Sequence, residues 1–326
     1  MEYSLIICIF LILICFLLLF FVSGICYYVE PFKTIVKDFP VDIVYTWVNT
    51  YDPQWIRQYK KYVDKDFDSS SARWSRTKNP WAEINLSLES VRKYMPWIRN
   101  IYIVTHRPQR LPQELINKYS VRIVHHDEIF HENSSLPTFS SRSIEAFLVN
   151  IPGLSENFIY SNDDNYVCKP MLKSDFFVDG KPLVRYRRNF SEKVRSREVY
   201  PQNEHTFIEL KHNILSEKNG MLFYSPIHQM LPMTKSVIKS TIDIFYDNWV
   251  CTGKNRTRQN TDIIPFYLSV IVGVNKGMII LKENDASREG FFEVLEDLKP
   301  FDYDFLCINS IKPEEMEELR NFVLKK

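Results

Sequence analysis

The sequence predicts an α/β protein whose mainly parallel, Rossmann-like sheet is flanked by helices and preceded by an N-terminal transmembrane helix. Two patterns support this fold class. From Asp42 onward, short β-rich apolar segments alternate with segments of helical periodicity, and Leu5–Val22 ahead of them is an unbroken apolar run. The 326 residues are 45% hydrophobic and 25% charged, with 8 Gly against 17 Pro, so collagen-like and disordered chains are excluded and a sizeable core is expected.

The apolar run near the amino terminus is long enough to form a membrane helix. Leu5–Val22 contains 18 residues, and a helix with a rise of about 1.5 Å per residue that continues past it reaches across a bilayer core. Val22-Ser23-Gly24 offers small residues for signal peptidase. However, the run exceeds the roughly 7–15 apolar residues of a signal peptide, and Met1-Glu2-Tyr3 carries no basic side chain. We therefore expect residues 5–25 to be an uncleaved, single-pass membrane anchor.

The chain is expected to have two parts, an anchor and stalk over residues 1–40 and one folded body over residues 41–326. Lys33 and Lys37 follow the apolar run, whereas only the amino terminus and Glu2 precede it, which argues weakly against a lumenal body. The sequence leaves two locations open for the body, namely the Golgi or secretory lumen and the cytoplasmic face of a membrane.

The body begins with a strand predicted at Asp42–Val48. Asn79-Pro80 then supplies an N-cap and a favoured first helical residue for the helix that follows. The remaining predicted elements are, in chain order, strands at Ile101–Thr105 and Val121–Val124, a helix carrying Ile144, Phe147, Leu148 and Ile151, a strand at Phe158–Tyr160, a basic loop from Lys181 to Arg197, and strands near Met221–Tyr224 and Met278–Leu281.

Such alternation is typical of parallel sheets, and their ligands bind beyond the carboxyl ends of the strands. Asn162-Asp163-Asp164 follows the strand Phe158–Tyr160. Carboxylate and amide oxygens are the hard ligands that Mg²⁺ or Mn²⁺ needs when it bridges a diphosphate. An ordinary polar turn is the alternative. Asp163 and Asp164 are therefore candidate metal ligands.

Asn49 and Asp52 follow the first strand in the same way, with Trp47 and Trp55 nearby. A carboxylate and an amide at this position are suited to hold a ribose or sugar hydroxyl beside an aromatic ring. The alternative is a well-formed turn next to two core Trp residues.

Basic side chains complete the candidate set. His228 lies beyond the strand Met221–Tyr224, and a histidine can accept a hydroxyl proton near neutral pH, although a lone His is usually structural. Arg256 and Arg258 precede Asp262, and a guanidinium suits phosphate oxygens, whereas a solvated helix start is the alternative. The basic loop is either a phosphate clamp or a solvated face.

Composition and motifs exclude several function classes. The net charge is +1, from 41 Lys+Arg and 40 Asp+Glu, so no nucleic-acid partner is expected. The sequence has no P-loop, GxGxxG, GxSxG or HExxH string, which disfavours NTPases, dinucleotide oxidoreductases, hydrolases and zinc proteases. Its six Cys show no CxxC or Cys/His spacing of a zinc site.

Several long strings in fixed order resemble one family, and together they are more specific than any single motif. The chain resembles the Stealth family, which holds bacterial capsule polysaccharide phosphotransferases and the α/β subunit precursor of the lysosomal-enzyme N-acetylglucosamine-1-phosphotransferase. The matching strings, spread from Asp42 to Leu268, are Asp42-Ile-Val-Tyr-Thr-Trp-Val-Asn49 with Asp52, Glu83 through Ser87 to Ser90-Val91, Pro96 to Thr105, Leu136 to Ser141, Ile144-Glu145, Gly153-Leu154-Ser155, Phe158 to Asp164, and His228 with Arg258 and Asp262.

The resemblance implies an enzyme that uses Mg²⁺ or Mn²⁺. Its donor partner would be a UDP-sugar, most simply UDP-N-acetylglucosamine, and its acceptor partner a glycan or polysaccharide. An N-acetylhexosamine-1-phosphate or hexose-1-phosphate would move to an acceptor hydroxyl, and UMP would be released.

The same resemblance implies roles for the candidate residues. Asp163 and Asp164, with Asn162, would hold the metal or the donor phosphosugar, and Arg258 would bind the diphosphate. Asn49 and Asp52 would bind the nucleotide sugar. His228 would deprotonate the acceptor hydroxyl, and Arg142 and Glu145 would lie near the site.

Two departures from the family pattern concern the choice of acceptor more than the donor chemistry. Ser310 follows Phe305–Asn309 where the family usually has Asp, and Ala146–Val149 replaces a histidine-bearing stretch. Two alternatives stay open beside the phosphotransferase, and the altered terminal region permits the second. One is a metal-dependent glycosyltransferase of glycosyltransferase-A-like build that releases UDP, and the other is a catalytically inactive, membrane-anchored glycan-binding protein.

Overall fold

The computed structural model describes residues 38–68, 79–131, 135–187, 225–226, 229–283 and 288–325. The described residues from Phe39 onward belong to one compact unit, Phe39–Lys326. The strands are β1 (Val41–Thr46), β2 (Ile101–Thr105), β3 (Val121–His125), β4 (Asn157–Asn162), β5 (Asn165–Val167), β6 (Phe177–Val178), β7 (Lys181–Arg187), β8 (Ser225–Pro226), β9 (Leu231–Thr234), β10 (Ile280–Glu283), β11 (Glu289–Val294) and β12 (Phe305–Ser310).

The α-helices alternate with these strands in the first half of the unit. They are, as numbered here, α1 (Pro53–Tyr62), α2 (Ala82–Tyr94), α3 (Gln113–Tyr119), α4 (His126–Ile129), α5 (Ser141–Phe147), α6 (Lys235–Ile244), α7 (Tyr246–Gly253), α8 (Pro265–Asn275) and α9 (Met316–Leu324).

The central sheet has the strand order β3-β2-β1-β4-β9. Strands β3, β2, β1 and β4 are parallel, and β9 pairs antiparallel with β4 at one edge. Strand β1 is buried almost throughout because both faces of the sheet are covered, which is why its centre, Ile43-Val44-Tyr45, is apolar. The parallel sheet predicted from the alternation is confirmed for this part of the molecule.

Two smaller sheets make the whole unit mixed. In one, β7 pairs parallel with β10 and antiparallel with β6 and β8. In the other, β12 pairs parallel with β11 and antiparallel with β5. The fold is therefore an α/β architecture of mixed sheets flanked by helices, and the mainly parallel arrangement applies to the central sheet alone.

Side chains of β1 alternate between two hydrophobic clusters. Ile43 and Tyr45 belong to the cluster that α2, α9 and the β11-β12-β5 sheet cover, whereas Val44 belongs to the cluster under α5, α6 and α8. Helix α8 is buried along nearly its whole length, and its residues are almost all apolar. The central sheet is thus covered on both faces, and solvent reaches it mainly at the strand ends.

Two local predictions were wrong. Helix α2 begins at Ala82, with Trp81 at the N-cap position, because the Asn79 side chain accepts a hydrogen bond from the Trp81 amide at 3.0 Å in a turn that precedes the helix. The first part of the predicted basic loop is strand β7, since its backbone pairs with β10 and the Arg185 side chain is buried against Glu289 at 2.7 Å. Residues 188–197 of that loop lie outside the described residues.

The predicted membrane helix over residues 5–25 and the strand near Met221–Tyr224 also lie outside the described residues. Among the helices that the structure does describe, none combines the length and apolar character needed to cross a bilayer.

Candidate functional site

The carboxyl edge of the central sheet forms the wall of a cavity of about 300 Å³. The residue directly after each of the four parallel strands lines it, and these residues are Trp47 after β1, His106 after β2, His126 after β3 and Asp163 after β4. Cavities of this size are at the lower end of the range in which small-molecule ligands bind. The edge at which parallel sheets bind ligands is therefore open in this protein.

Helices and loops close the cavity from the sides. Helix α1 contributes Trp55 and Tyr59, whose rings stack at a centroid distance of 4.9 Å. Phe139 packs edge-on against both rings at 5.7 and 5.1 Å. Arg258 lines the cavity from the loop that follows α7. The site therefore has an aromatic side and a charged side.

The acidic part of the charged side contains three carboxyl groups. Asp163 and Glu83 line the cavity, and Asp164 next to Asp163 is only 3% exposed. The pKa of the fully buried Tyr166 hydroxyl is raised well above its ordinary value by burial and then by the charges of Glu83, Asp164 and Asp163. All three carboxylates therefore lie close enough to the Tyr166 hydroxyl, behind the cavity wall, to raise its pKa. The sequence analysis assigned Glu83 no role of its own, because it was named only within one of the strings that resemble the family.

The basic part of the charged side contains two guanidinium groups. The Arg258 Nη2 donates to the Ser141 hydroxyl at 2.8 Å, which holds an otherwise exposed side chain at the cavity. The pKa of the buried Arg142 is lowered by burial and next by the charge of Arg258. Two like charges this close favour an anion in their neighbourhood.

The loop that carries Arg258 is held by contacts of its own. Asp262, 1% exposed, accepts hydrogen bonds from the Asn255 side chain at 2.6 Å and from the Gln259 amide at 2.8 Å. Arg256 donates to the carbonyls of Leu136 and Pro137. Of the two arginines considered in the sequence, Arg256 is thus structural and Arg258 faces the cavity.

Glu145 does not line the cavity, but its carboxyl group interacts with both arginines of the basic part. Burial raises the pKa of its carboxyl to about 7, against the opposing charges of Arg142 and Arg258. The Tyr160 hydroxyl lies 3.3 Å from the Glu145 carboxylate and 3.0 Å from the Asn162 side-chain oxygen. A carboxyl group with a pKa near neutrality is able to exchange protons at working pH. Tyr160 links it to the end of β4.

Asn49 and Asp52 make mainly structural contacts. The Asn49 side chain accepts from the Tyr51 amide at 2.9 Å, and Asp52 accepts from the Gln54 and Trp55 amides as the N-cap of α1. The residues between them, Thr50 and Tyr51, line the cavity instead. Their contact with a nucleotide sugar stays a prediction. His228 lies outside the described residues.

Sequence reasoning missed His106 and His126. Both directly follow a central strand, which is the positional rule that selected Asp163. The same rule also indicated Asn49 and His228, but the segments after Ile101–Thr105 and Val121–Val124 were predicted only as polar loops. His106 directly follows the predicted strand Ile101–Thr105, whereas His126 is two residues beyond the predicted strand Val121–Val124, because the observed strand extends to His125.

The fold and the site together define a class of protein: an α/β enzyme with a cleft of aromatic and charged residues at the carboxyl edge of a parallel sheet. Family models then match at two places: residues 39–66 match Stealth protein CR1, conserved region 1, and residues 77–184 match Stealth protein CR2, conserved region 2. The expected resemblance is confirmed, because these matches cover β1 through most of β7.

Curated relatives agree with the family models. The chain is 34% identical over 249 residues to the capsular polysaccharide phosphotransferase LcbA of Aeromonas hydrophila, covering 73% of this chain and 68% of that protein. It is 31% identical over 246 residues to the capsular polysaccharide phosphotransferase of Neisseria meningitidis serogroup B, covering 71% of this chain and 63% of that protein. The chain therefore belongs to the Stealth family and is an enzyme.

Other matches cover less or are more remote. An exopolysaccharide phosphotransferase of Streptomyces coelicolor is 41% identical over 143 residues, which are 44% of this chain and 23% of that protein. A galactosyltransferase LgtC crystal structure overlaps with a TM-score of 0.43 at 10% identity, covering 86% of this chain and 96% of that one. No statement about activity follows from an overlap at that level.

Proposed function

We propose that the protein transfers a sugar-1-phosphate, N-acetylhexosamine-1-phosphate or hexose-1-phosphate, from a UDP-sugar to a hydroxyl group of an acceptor glycan. The acceptor oxygen forms a bond to the phosphorus next to the sugar, and the bond from that phosphorus to the oxygen bridging it to UMP breaks. UMP leaves, and the hydroxyl proton passes to a base. The sugar C1–O bond is untouched, so the anomeric configuration of the donor is retained.

One observation carries this proposal: Asp163 and Arg258 line the same cavity. Phosphoryl transfer depends mainly on positioning and on charge stabilisation, and a carboxylate pair facing a guanidinium provides both for a diphosphate. Family membership supports the reaction type, since the curated relatives are phosphotransferases for capsular polysaccharide.

We also propose that a divalent metal binds at Asp163 and Asp164. The described residues contain no group of three or more His, Cys, Asp or Glu side chains placed to hold a metal, so substrate phosphates would supply the other ligands. Asp163 and Asp164 would hold Mg²⁺ or Mn²⁺, because Mg²⁺ is commonly bound by one or two carboxylates together with substrate phosphates. The metal would offset the charge that develops on the phosphate oxygens. Arg258 and Arg142 would bind the diphosphate, and Asn162 would orient the phosphosugar.

Deprotonation of the acceptor is assigned to His228, as implied by the family resemblance. Glu145 is close to the same charged groups, and its pKa of about 7 makes it able to accept or return a proton there. Asn49 and Asp52 would act through the turn that presents Thr50 and Tyr51 to the nucleotide sugar.

The direct test identifies both products. The full-length protein is incubated with UDP-N-acetylglucosamine, Mg²⁺ or Mn²⁺ and a panel of sugars, and the products are analysed by mass spectrometry. The donor carries oxygen-18 between C1 and phosphorus. We expect UMP, with the label in the glycan product. Labelled UDP would instead identify a glycosyltransferase, and nucleotide-sugar binding without any product would identify a glycan-binding protein.

A pair of variants connects the product to the cavity. Asp163→Asn removes a charge from the cavity wall, and Asp66→Asn removes an equivalent charge from an exposed turn. We expect turnover to fall about 10²- to 10³-fold in the first variant and to stay unchanged in the second. Equal turnover in both would contradict the role of Asp163.

We also propose that residues 5–25 anchor the enzyme in a membrane. The full-length chain should then sediment with membranes and resist extraction by alkaline carbonate, and Leu13→Lys with Leu17→Lys should release it. Protease protection of the body in closed vesicles separates a lumenal from a cytoplasmic location. Carbonate extraction of the unaltered chain would contradict the anchor.

A further inference from the structure

Three histidines lie at the ends of β2 and β3, and their hydrogen bonding differs sharply. The His125 ring is fully engaged, since Nδ1 lies 3.0 Å from Glu128 Oε1 and Nε2 lies 3.0 Å from the Gln109 carbonyl. His126 Nδ1 and His106 Nε2 are buried, and neither has a hydrogen-bond partner among the described residues.

An unsatisfied buried nitrogen costs about 1–3 kcal/mol, so native proteins keep few of them. Here two occur together, with ring centroids 6.2 Å apart. His126 is 5% exposed, and both residues line the cavity of the proposed active site. Their position indicates that a ligand in the cavity completes their hydrogen bonding.

The charge state of the two rings limits what that ligand is. Burial lowers the pKa of His126 to about 3, and burial also lowers the pKa of His106. Both imidazoles are therefore neutral at physiological pH, and each presents one N–H donor and one nitrogen acceptor. Such a pair suits an uncharged polar group that has a donor beside an acceptor, and it is poorly suited to a phosphate.

The strand order separates this pair from the charged side of the cavity. His126 follows β3 and Asp163 follows β4, with β2 and β1 between them. Three strand spacings of about 4.8 Å place the two strand ends about 14 Å apart. Trp47 and Tyr51 line the same cavity and supply aromatic surface. A ligand that reaches both ends is elongated, with an uncharged heterocycle at one end and phosphates at the other.

We propose that His106 and His126 bind the nucleobase of the nucleotide donor and thereby fix which end of the cavity receives the diphosphate. This inference rests on the proposed function, because it assigns an orientation to the donor of that reaction. A pyrimidine base such as uracil carries a ring N–H flanked by carbonyl oxygens, which matches a neutral imidazole pair.

The experiment compares two ligands that differ only in the base. Binding of UMP and of ribose 5-phosphate to the full-length protein is measured by calorimetry, and the ratio of their dissociation constants reports the contribution of the base. We expect the ratio in the unaltered protein to exceed about ten, since one hydrogen bond contributes up to about tenfold in affinity.

Variants then assign this contribution to the histidines. His126→Leu should weaken UMP about tenfold and leave ribose 5-phosphate unchanged, while His126→Asn, which keeps a polar atom near the Nδ1 position, should restore part of the affinity. His106→Leu is a second variant at a less buried position. His125→Gln is the matched control, because the partners of His125 belong to the protein. It should lower the melting temperature without changing the ratio.

A measurement without substitution covers the case in which a variant does not fold. The imidazole nitrogen resonances of His106 and His126 should shift when UMP binds and stay in place with ribose 5-phosphate. No shift with UMP, or equal losses for both ligands in His126→Leu, would overturn the inference.

The product assay keeps the two proposals apart. If sugar-phosphate transfer is observed but the base contributes nothing to the affinity for UMP, the nucleobase subsite is refuted and the proposed function is not. A clear contribution from the base with UDP as the product would overturn phosphotransfer while keeping the nucleobase subsite.

Discussion

The two edges of the central sheet differ in how completely their buried polar groups are hydrogen-bonded. At the amino edge, Asp42 at the start of β1 is completely buried, and its two oxygens accept hydrogen bonds from the Arg99 guanidinium, from the backbone and side-chain nitrogens of Asn100, and from the Ser155 amide. At the carboxyl edge of the same sheet, His106 and His126 keep buried nitrogens without partners among the described residues.

The pKa shifts follow this difference. Burial acts to raise the pKa of Asp42, but the hydrogen bonds from Arg99 and Ser155 outweigh it and hold the pKa below its ordinary value. For Glu145, burial dominates, and the pKa of its carboxyl rises to about 7. A fully paired charge stabilises the fold, whereas an incompletely paired polar group is retained at a cost in stability that a ligand offsets.

The largest expected effect is a loss of stability when the hydrogen bonds of Asp42 at the amino edge of the sheet are broken. Asp42→Asn removes the charge that Arg99 faces and turns one acceptor into a donor opposite backbone N–H groups. We expect the free energy of unfolding, measured in urea, to fall by about 3–5 kcal/mol. The turnover of the remaining folded protein should not change, because Asp42 lies at the edge away from the cavity.

The control for this variant is Asp243→Asn. Asp243 pairs with Lys239 on the surface of α6, where the two side chains are 60% and 75% exposed. A loss below about 1 kcal/mol is expected there. Similar losses in both variants would mean that the burial and the several hydrogen bonds of Asp42 add no stability beyond that of an exposed ion pair.

Features of the fold and site could be predicted where they depend on residues close together in the sequence, and not where they depend on contacts between distant residues. The strands of the parallel sheet were predictable because burial on both faces produces continuous apolar runs such as Ile101–Thr105. Asp163 and Arg258 were candidates by their chemistry and were selected by the family resemblance; both line the cavity, and their roles stay predictions. The Arg185–Glu289 ion pair, which turns part of a predicted basic loop into a buried strand, joins residues about a hundred positions apart, and no local pattern indicates it.

The second-largest effect is expected at the cavity, in activity and not in stability. Arg258→Gln should lower turnover about 10²- to 10³-fold, or about 2.7–4 kcal/mol in the barrier, because the charge proposed to stabilise the diphosphate is lost. The melting temperature should stay the same, since the side chain is exposed. Steady-state kinetics and a thermal melt measure the two quantities.

Arg256→Gln is the matched variant two residues away. Its guanidinium donates to the Leu136 and Pro137 carbonyls, so we expect a stability loss of about 1–2 kcal/mol and a smaller loss of turnover. If Arg256→Gln lowered turnover as much as Arg258→Gln does, the division between a structural and a substrate-facing arginine would be wrong.

The third effect is a pH dependence of stability with opposite signs for His126, which lines the cavity, and Glu145, which lies near Arg258. His126 has a folded pKa of about 3, so the unfolded chain binds a proton that the folded protein does not between pH 6.5 and 3. Its contribution to the free energy of unfolding therefore falls as the pH falls through that window, by at most about 1.4 kcal/mol per pH unit. Glu145 has a folded pKa of about 7, so its contribution rises on acidification from pH 7 to 4.5.

Urea unfolding at pH 7.5, 6.5 and 5.5 separates the two contributions. His126→Gln should make stability rise more, or fall less, on acidification than in the unaltered protein, and Glu145→Gln should make it fall more steeply. The same pH slope in all three proteins would show that neither group titrates differently in the folded state, and the contrast with Asp42 would then rest on hydrogen bonding alone.

The smallest expected effect is a stability loss at an exposed ion pair, and it separates the contribution of burial from that of pairing. Arg107 holds Asp127 through Nε at 3.1 and 2.9 Å, so this ion pair resembles that of Arg99 and Asp42 in its number of short contacts. The aspartates differ in exposure, 37% for Asp127 and 0% for Asp42. We expect Asp127→Asn to cost less than about 1 kcal/mol in urea unfolding, because water screens the exposed pair and solvates the arginine that remains. This small loss should shrink further at 1 M salt, whereas the loss in Asp42→Asn should persist. A loss of several kcal/mol in Asp127→Asn would mean that pairing geometry, and not burial, makes the amino edge stable.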